Sequence, residues 1–148
     1  MFPTRKSDRY ALRAVLELAK SPKGTPRKSG SIAQAQAIPP RFLEVILNQL
    51  KGSGLIASKR GYQGGYYLLK RPENVTVGDV LRFLHNDEDI THQISCTSKN
   101  QCPFDCDCAF VPLWKKVSDA IFHIYDATTF ADLLTQTDQL LLKNQHRV

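Results

Sequence analysis

Three amphipathic segments broken at prolines, a glycine-rich hairpin after them and a long apolar-striped helix near the end predict a mainly α fold with a small β-hairpin. The order is that of a winged helix-turn-helix domain extended by a long C-terminal helix. A length of 148 residues is enough for such a unit to fold around its own core without disulfides.

The first helix is marked by Ser7, a candidate cap, and by Ala11, Leu12, Val15, Leu16 and Ala19 in the i, i+3, i+4 rhythm. S-P-K-G-T-P-R-K-S-G ends it. Residues 32–37 read as a short helix capped by Ser29 or Ser31. Ile38-Pro39 then forces an extended step before the next helix begins at Pro40. On a helical wheel that helix, P-R-F-L-E-V-I-L-N-Q-L-K, gathers Phe42, Leu43, Ile46, Leu47 and Leu50 on one side. Arg41, Glu44, Val45 and Asn48 face the other way. Gly52 and Gly54 stop it.

L-I-A-S-K-R and Y-Y-L-L-K read as strands joined by the turn cluster G-Y-Q-G-G, a wing with Arg60 at the entrance to its loop. Thr76 with Asp79 forms a capping box ahead of Val77, Val80, Leu81 and Leu84, and that helix is expected to run out near H-N-D-E-D. C-T-S-K-N-Q-C-P-F-D-C-D-C follows and holds all four cysteines. Trp114, Val117, Ile121 and Ile124 then recur at steps of three and four, the seam of a helix that packs on another helix. T-F-A-D-L-L-T-Q-T-D-Q-L-L-L reads as a short last helix before a frayed tail. The division expected is a winged domain at 1–85, a cysteine-containing loop at 86–109 and the helix with its tail at 110–148.

The composition, 42% hydrophobic and 23% charged, is that of a folded globular chain and excludes a disordered or fibrous one. The N-terminus lacks the apolar run of a signal peptide, and no segment approaches a membrane span, so a cytoplasmic protein is expected. In that reducing compartment clustered cysteines bind metal or sense redox state more often than they form structural disulfides. No nucleophile, base and orienting group form a set that would suggest an enzyme, and no small-molecule substrate is expected.

A net charge of +6, concentrated in residues 5–71, points to an anionic partner for the N-terminal half. In a winged helix-turn-helix that partner is duplex DNA. Arg41 is suited to bidentate contact with guanine, and Glu44 can accept from cytosine N4 while rejecting wrong sites. Val45 and Asn48 share their face, while Arg27, Lys28, Lys59 and Arg60 are candidates for phosphate contacts that position rather than specify.

Cys96, Cys102 and Cys108 are separated by five residues each, with Cys106 as an extra member. Three soft thiolates from one loop select zinc, copper(I) or iron-sulfur over hard cations. The paired C-x-x-C of a zinc ribbon and a downstream H-x-x-x-H are both missing, which lowers zinc. A thiol-disulfide switch stays open.

Y-A-L-R-A-V-L-E-L-A, F-L-E-V-I-L-N-Q-L-K-G-S-G-L-I, R-G-Y-Q-G-G-Y-Y-L, V-G-D-V-L and C-x5-C-x5-C before L-W-K-K-V together resemble the IscR/NsrR/CymR family of winged-helix regulators over nearly the whole chain. The resemblance implies a homodimeric bacterial transcription regulator whose long C-terminal helix crosses its symmetry mate on a two-fold operator. It further implies an iron-sulfur cluster, [2Fe-2S] or [4Fe-4S], held by Cys96, Cys102 and Cys108, whose loss or damage changes DNA affinity. For the fourth ligand, the cluster-assembly branch uses a histidine at the place of Val111 here. The nitric-oxide-sensing branch uses an aspartate of the partner subunit at the place of Asp8. Cys106 is the rival and His92 a distant third; Asp8 could equally serve the helix dipole. His85 and His123 read as ordinary helix residues, and Trp114 as dimer core. The alternatives are a cluster-free thiol switch using Cys106, or a protein-interaction module that uses the fold without DNA.

Overall fold

The computed structural model of the chain describes residues 5–94 and 108–145, and the side chains of residues 5–85 and 108–144 among them. Six helices and one hairpin appear there: α1 (Lys6–Ala19), α2 (Ser29–Gln36), α3 (Pro40–Lys51), β1 (Ile56–Lys59), β2 (Gly65–Leu68), α4 (Val77–Ile94), α5 (Val111–Ala127) and α6 (Phe130–Gln145). A 3-10 turn at Pro72–Asn74 leads into α4. None of the described helices is long and apolar enough to cross a membrane.

The core is where α1, α2 and α3 meet. Ala11, Ala14, Val15 and Leu18 of α1 lie against Ile32 and Ala33 of α2 and Leu43, Ile46, Leu47 and Leu50 of α3, all buried. Each large aliphatic side chain so removed from water contributes about 1.5–3 kcal/mol. Alanines on α1 keep its buried face thin. Leu12 and Leu16, expected inside, are only partly covered at its margin.

Helix starts depart from expectation in a consistent way. The cap of α1 is Arg5, and Ser7 lies within the first turn with its hydroxyl donating to Asp8 Oδ1 at 3.3 Å. Helix α2 begins at Ser29 after Lys28, neither serine capping it. Backbone geometry set by the preceding extended residue suffices to start both. At the other end of α2, Ala37 adopts φ 49°, and the N–H of Ile38 reaches the carbonyl of Ala33 at 2.9 Å. That left-handed residue makes the tight turn into Pro39 and Pro40, and Pro40 opens α3 as read from the sequence.

The hairpin pairs Ile56 with Leu68 and Lys59 with Gly65, as the glycine cluster predicts. Its second edge is occupied as well: Arg27 and Tyr66 exchange two backbone hydrogen bonds of 2.8 Å. A Cβ at Gly65 would lie 2.3 Å from the Arg27 carbonyl, so only glycine permits this approach.

The capping box of α4 forms: Thr76 N–H donates to Asp79 Oδ2 at 2.9 Å, and Asp79 N–H donates to Thr76 Oγ1 at 3.0 Å. The helix then continues to Ile94, through the acidic stretch expected to end it. H-N-D-E-D contains neither glycine nor proline, so nothing in it breaks a helix. Helix α6 is likewise a full helix and not a short one; Thr129 and Asp132 form a second capping box at its start. The two starts are bound side by side, Val77 N–H to Thr128 carbonyl at 3.0 Å and Phe130 N–H to Val75 carbonyl at 2.9 Å. Fully buried Phe130 carries α6 back onto the core, where Leu133 and Leu134 pack. Helix α5 packs on α4.

Candidate nucleic-acid interface and cysteine site

Burial of Leu43, Ile46, Leu47 and Leu50 decides which way α3 faces. Arg41, Glu44, Val45 and Asn48 are all exposed on its opposite side, the set expected to meet base edges. Phe42 departs from the wheel: it is 62% exposed. At about 100° per residue it stands roughly 90° from the centre of the buried stripe, and the four aliphatic residues already fill that quadrant.

Lys59 and Arg60 stand exposed where β1 runs into the wing loop. Lys28 reaches the wing loop, its Nζ 4.8 Å from the centre of the Tyr62 ring. Lys28, Ser29, Ser31 and Gln34 line an open cleft with Tyr62 and Tyr66 of the wing. Since α2 starts there without a side-chain cap, the cleft combines a cation with a helix N-terminus, both favourable to an anion.

Arg27 is placed differently from the other candidate cations. Its Nη1 lies 2.5 Å from Glu17 Oε1, and Glu17 is only 2% exposed. The other oxygen, Oε2, accepts from Lys20 Nζ and from Gln36 Nε2, each at 2.7 Å. Burial pushes the Glu17 carboxyl up, but the hydrogen bonds from Lys20 and Gln36 and the charges of Arg27 and Lys20 outweigh it, and the group titrates below the usual range. This carboxylate therefore ties α1 to α2 and, through Arg27, to the wing. Sequence reading missed Glu17; the i, i+3 spacing to Lys20 is its only local signal.

A second buried ion-pairing site joins α1 to α4. Asp8, 3% exposed, lies with Oδ1 2.9 Å from Nε2 of His85, 6% exposed. The Asp8 charge also reaches Tyr125 of α5, whose hydroxyl is held above its ordinary titration range by burial first and by Asp8 second. His85 Nδ1, Trp114 Nε1 and Ser118 Oγ are buried without a partner among the described residues. His85 is thus more than an ordinary helix residue: it sits four positions after Leu81 on the buried stripe of α4 and holds the Asp8 carboxylate. His123 is exposed.

Of the expected ligands, Cys96, Cys102 and Cys106 lie outside the described residues, as does the side chain of His92. Cys108 is described: a half-buried free thiol three residues before α5, with its carbonyl accepting from Val111 N–H at 3.1 Å. Among the described residues no three His, Cys, Asp or Glu side chains are placed to share a metal ion. Helix α5 is fixed to α4 by Arg82, which donates to both carboxylate oxygens of Asp126 at 2.5 and 2.6 Å and lies over the Phe122 ring. A Cβ at Gly78 would meet that carboxylate, so a larger residue there would displace the Asp126 side chain from its place beside Arg82. Trp114, Val117 and Ile121 are half-covered within the chain, whereas Phe110, Leu113 and Ile124 stand exposed beside them.

A helix-turn-helix with its polar recognition face free, flanked by a cationic wing, defines a DNA-binding transcriptional regulator of the winged-helix class. The sequence profile of the Rrf2 family, iron-dependent transcriptional regulators, matches residues 4–136. The chain is 34% identical over 130 residues to the HTH-type regulator CymR of Bacillus subtilis, covering 88% of each protein. It is 31% identical to the HTH-type regulator IscR of Serratia proteamaculans, covering 93% of this chain and 82% of that one. The solved structure of CymR, the global cysteine regulator of B. subtilis, superposes with a TM-score of 0.74 at 32% identity, over 92% of this chain and 98% of the other. The chain belongs to the Rrf2 family of winged-helix transcriptional regulators.

Proposed function

We propose that this DNA-binding regulator reads a two-fold operator as a homodimer, and that the chemical state of its cysteine segment sets its operator affinity. The observation that carries the coupling is the position of Cys108. It lies three residues before α5, its carbonyl bonded to the first N–H of that helix, and α5 is clamped to α4 by the Arg82–Asp126 pair, so a bond made at Cys108 bears on the helix pair that adjoins the DNA-binding core.

The donor chemistry supports an iron-sulfur cluster. Three soft sulfur donors from Cys96, Cys102 and Cys108 suit iron-sulfur. Bound there, the cluster would supply a centre sensitive to oxidants and to iron supply. Asp8 fits the fourth position less well than Cys106, because its carboxylate is buried and already accepts from His85. It could ligate only by giving up that bond. An all-thiol set also supports the second reading, a cluster-free switch in which Cys106 pairs with a neighbouring thiol.

The exposed apolar residues Phe110, Leu113 and Ile124 support dimerisation through α5, since they share one stripe that no described residue covers. For DNA, Arg41, Glu44, Val45 and Asn48 serve as base readers, with Lys28, Lys59 and Arg60 on phosphates. Arg27 acts by positioning the wing through Glu17. In this division residues 1–85 carry DNA recognition, 86–109 the sensor and 110–148 the dimer contact, with α6 returning to brace α1.

Purification without oxygen, followed by an absorption spectrum and iron and sulfide analysis, tests the sensor. A brown protein with stoichiometric iron and sulfide supports the cluster; a colourless protein that takes up no iron on anaerobic reconstitution leaves the thiol switch.

A further inference from the structure

Helix α3 carries two large apolar side chains that its own fold does not use. Phe42 is 62% and Val45 66% exposed, and they are neighbours at i, i+3 on the outward side of the helix. Among the described residues of α1, α2 and α3 they are the only exposed large apolar side chains. Phe42 stacks on no other described ring. Placing them in water gains the free protein nothing, and the core of α3 is complete without them.

The occupant of this patch is constrained by its surroundings. Arg41 precedes it, Glu44 and Asn48 flank it, and the cations Lys28, Lys59 and Arg60 lie on the wing side, a rim that suits DNA far better than an apolar protein surface. In the major groove of B-DNA only one group on the base edges is apolar, the C5-methyl of thymine. We infer that Phe42, supported by Val45, reads thymine methyl groups in the operator, adding T-versus-C discrimination to the hydrogen-bonding readout of Arg41, Glu44 and Asn48. The inference rests on α3 lying in the major groove. It deepens that assignment by naming which base feature the apolar half of the helix face recognises. Phe42 occupies the first turn of α3, the turn that enters deepest, so the thymine methyl it contacts lies beside the base pair read by Arg41.

The probe is a DNA duplex selected by the wild-type protein from a random pool, together with the same duplex carrying single thymine-to-uracil replacements, which delete one methyl and nothing else. Wild type is expected to lose about fourfold in affinity for each methyl it contacts, the effect of burying one such group. Phe42→Ala is expected to bind the thymine duplex about as weakly as wild type binds the uracil one, and to ignore that replacement. Val45→Ala should do the same at a neighbouring position. Both side chains are solvent-exposed, so unchanged thermal transitions certify the fold of the variants.

A wild-type protein indifferent to uracil at every position would overturn the inference, as would a Phe42→Ala variant that keeps the full uracil penalty. Arg41→Ala on the same duplexes tells the two levels apart. If it alters base preference while the uracil scan is flat, methyl reading fails alone; if it alters nothing, the placement of α3 fails with it.

Discussion

Asp8 Oδ1 and His85 Nε2 lie 2.9 Å apart, both nearly withdrawn from solvent, and join the first helix of the DNA-binding unit to the helix that leads into the cysteine segment. The contact is an ion pair when His85 is protonated and a hydrogen bond when it is neutral. In either state it fixes where α4 leaves the core. With Nδ1 of the same ring already without a partner among the described residues, Nε2 is the atom that ties His85 into the fold.

Asp8→Ala should therefore destabilise the cluster-free protein by about 1–3 kcal/mol, because it strands a buried imidazole. Asp8→Asn keeps an acceptor for Nε2 and should cost less. Urea unfolding of the two variants checks this; equal losses would mean that the pair contributes charge and not a hydrogen bond. His85→Ala combined with Asp8→Ala should cost less than the sum of the single changes.

Glu17 gives the fold an acid-sensitive joint. Its carboxyl titrates below the usual range, so the folded state prefers the ionised form. The stability it contributes is complete above the ordinary glutamate value of about 4.3 and is lost as pH falls through the lowered one. Glu17→Gln should cost about 1–3 kcal/mol at neutral pH, below the range for a fully buried pair because Lys20 and Arg27 are partly in water. The gap between wild type and variant should close as pH falls below the ordinary glutamate value and through the lowered one. A gap that stays constant with pH would assign the loss to packing.

Most of the fold was legible in the sequence because its signals are local. The proline pair at 39–40, the Thr76–Asp79 box and the glycine-rich wing turn each fix a backbone geometry within a few residues, and each is found as read. What escaped depends on contacts distant in the chain. Glu17 becomes a hub only when residues 20, 27 and 36 converge on it, and His85 becomes a partner of Asp8 only after α1 and α4 pack. A helical wheel groups Phe42 with the buried leucines, yet it is exposed, because apolarity alone does not say how many side chains a packed quadrant admits. The acidic stretch after His85 suggests an end to α4, but only a breaker residue would supply one, and the helix runs on to Ile94.

Arg41→Ala should relax base preference at one operator position by about 1–3 kcal/mol, as expected for loss of a bidentate contact. Lys28→Ala and Lys59→Ala should instead weaken all sequences alike and reduce the salt dependence of binding by about one ion each. Selection from a random DNA pool, with affinities measured at two salt concentrations, separates these outcomes. A loss of specificity in Lys59→Ala without a change in salt slope would place the wing in a groove reading bases.

The coupling of operator affinity to the cysteine segment is tested most directly by measuring one selected duplex against three forms of the protein: anaerobically isolated, stripped and thiol-reduced, and with Cys96, Cys102 and Cys108 all changed to alanine. The account predicts that the first two differ by about 5- to 150-fold, the span of an ordinary coupling energy, and that the alanine variant has a single affinity whatever its treatment. Equal affinities in all three forms would contradict it.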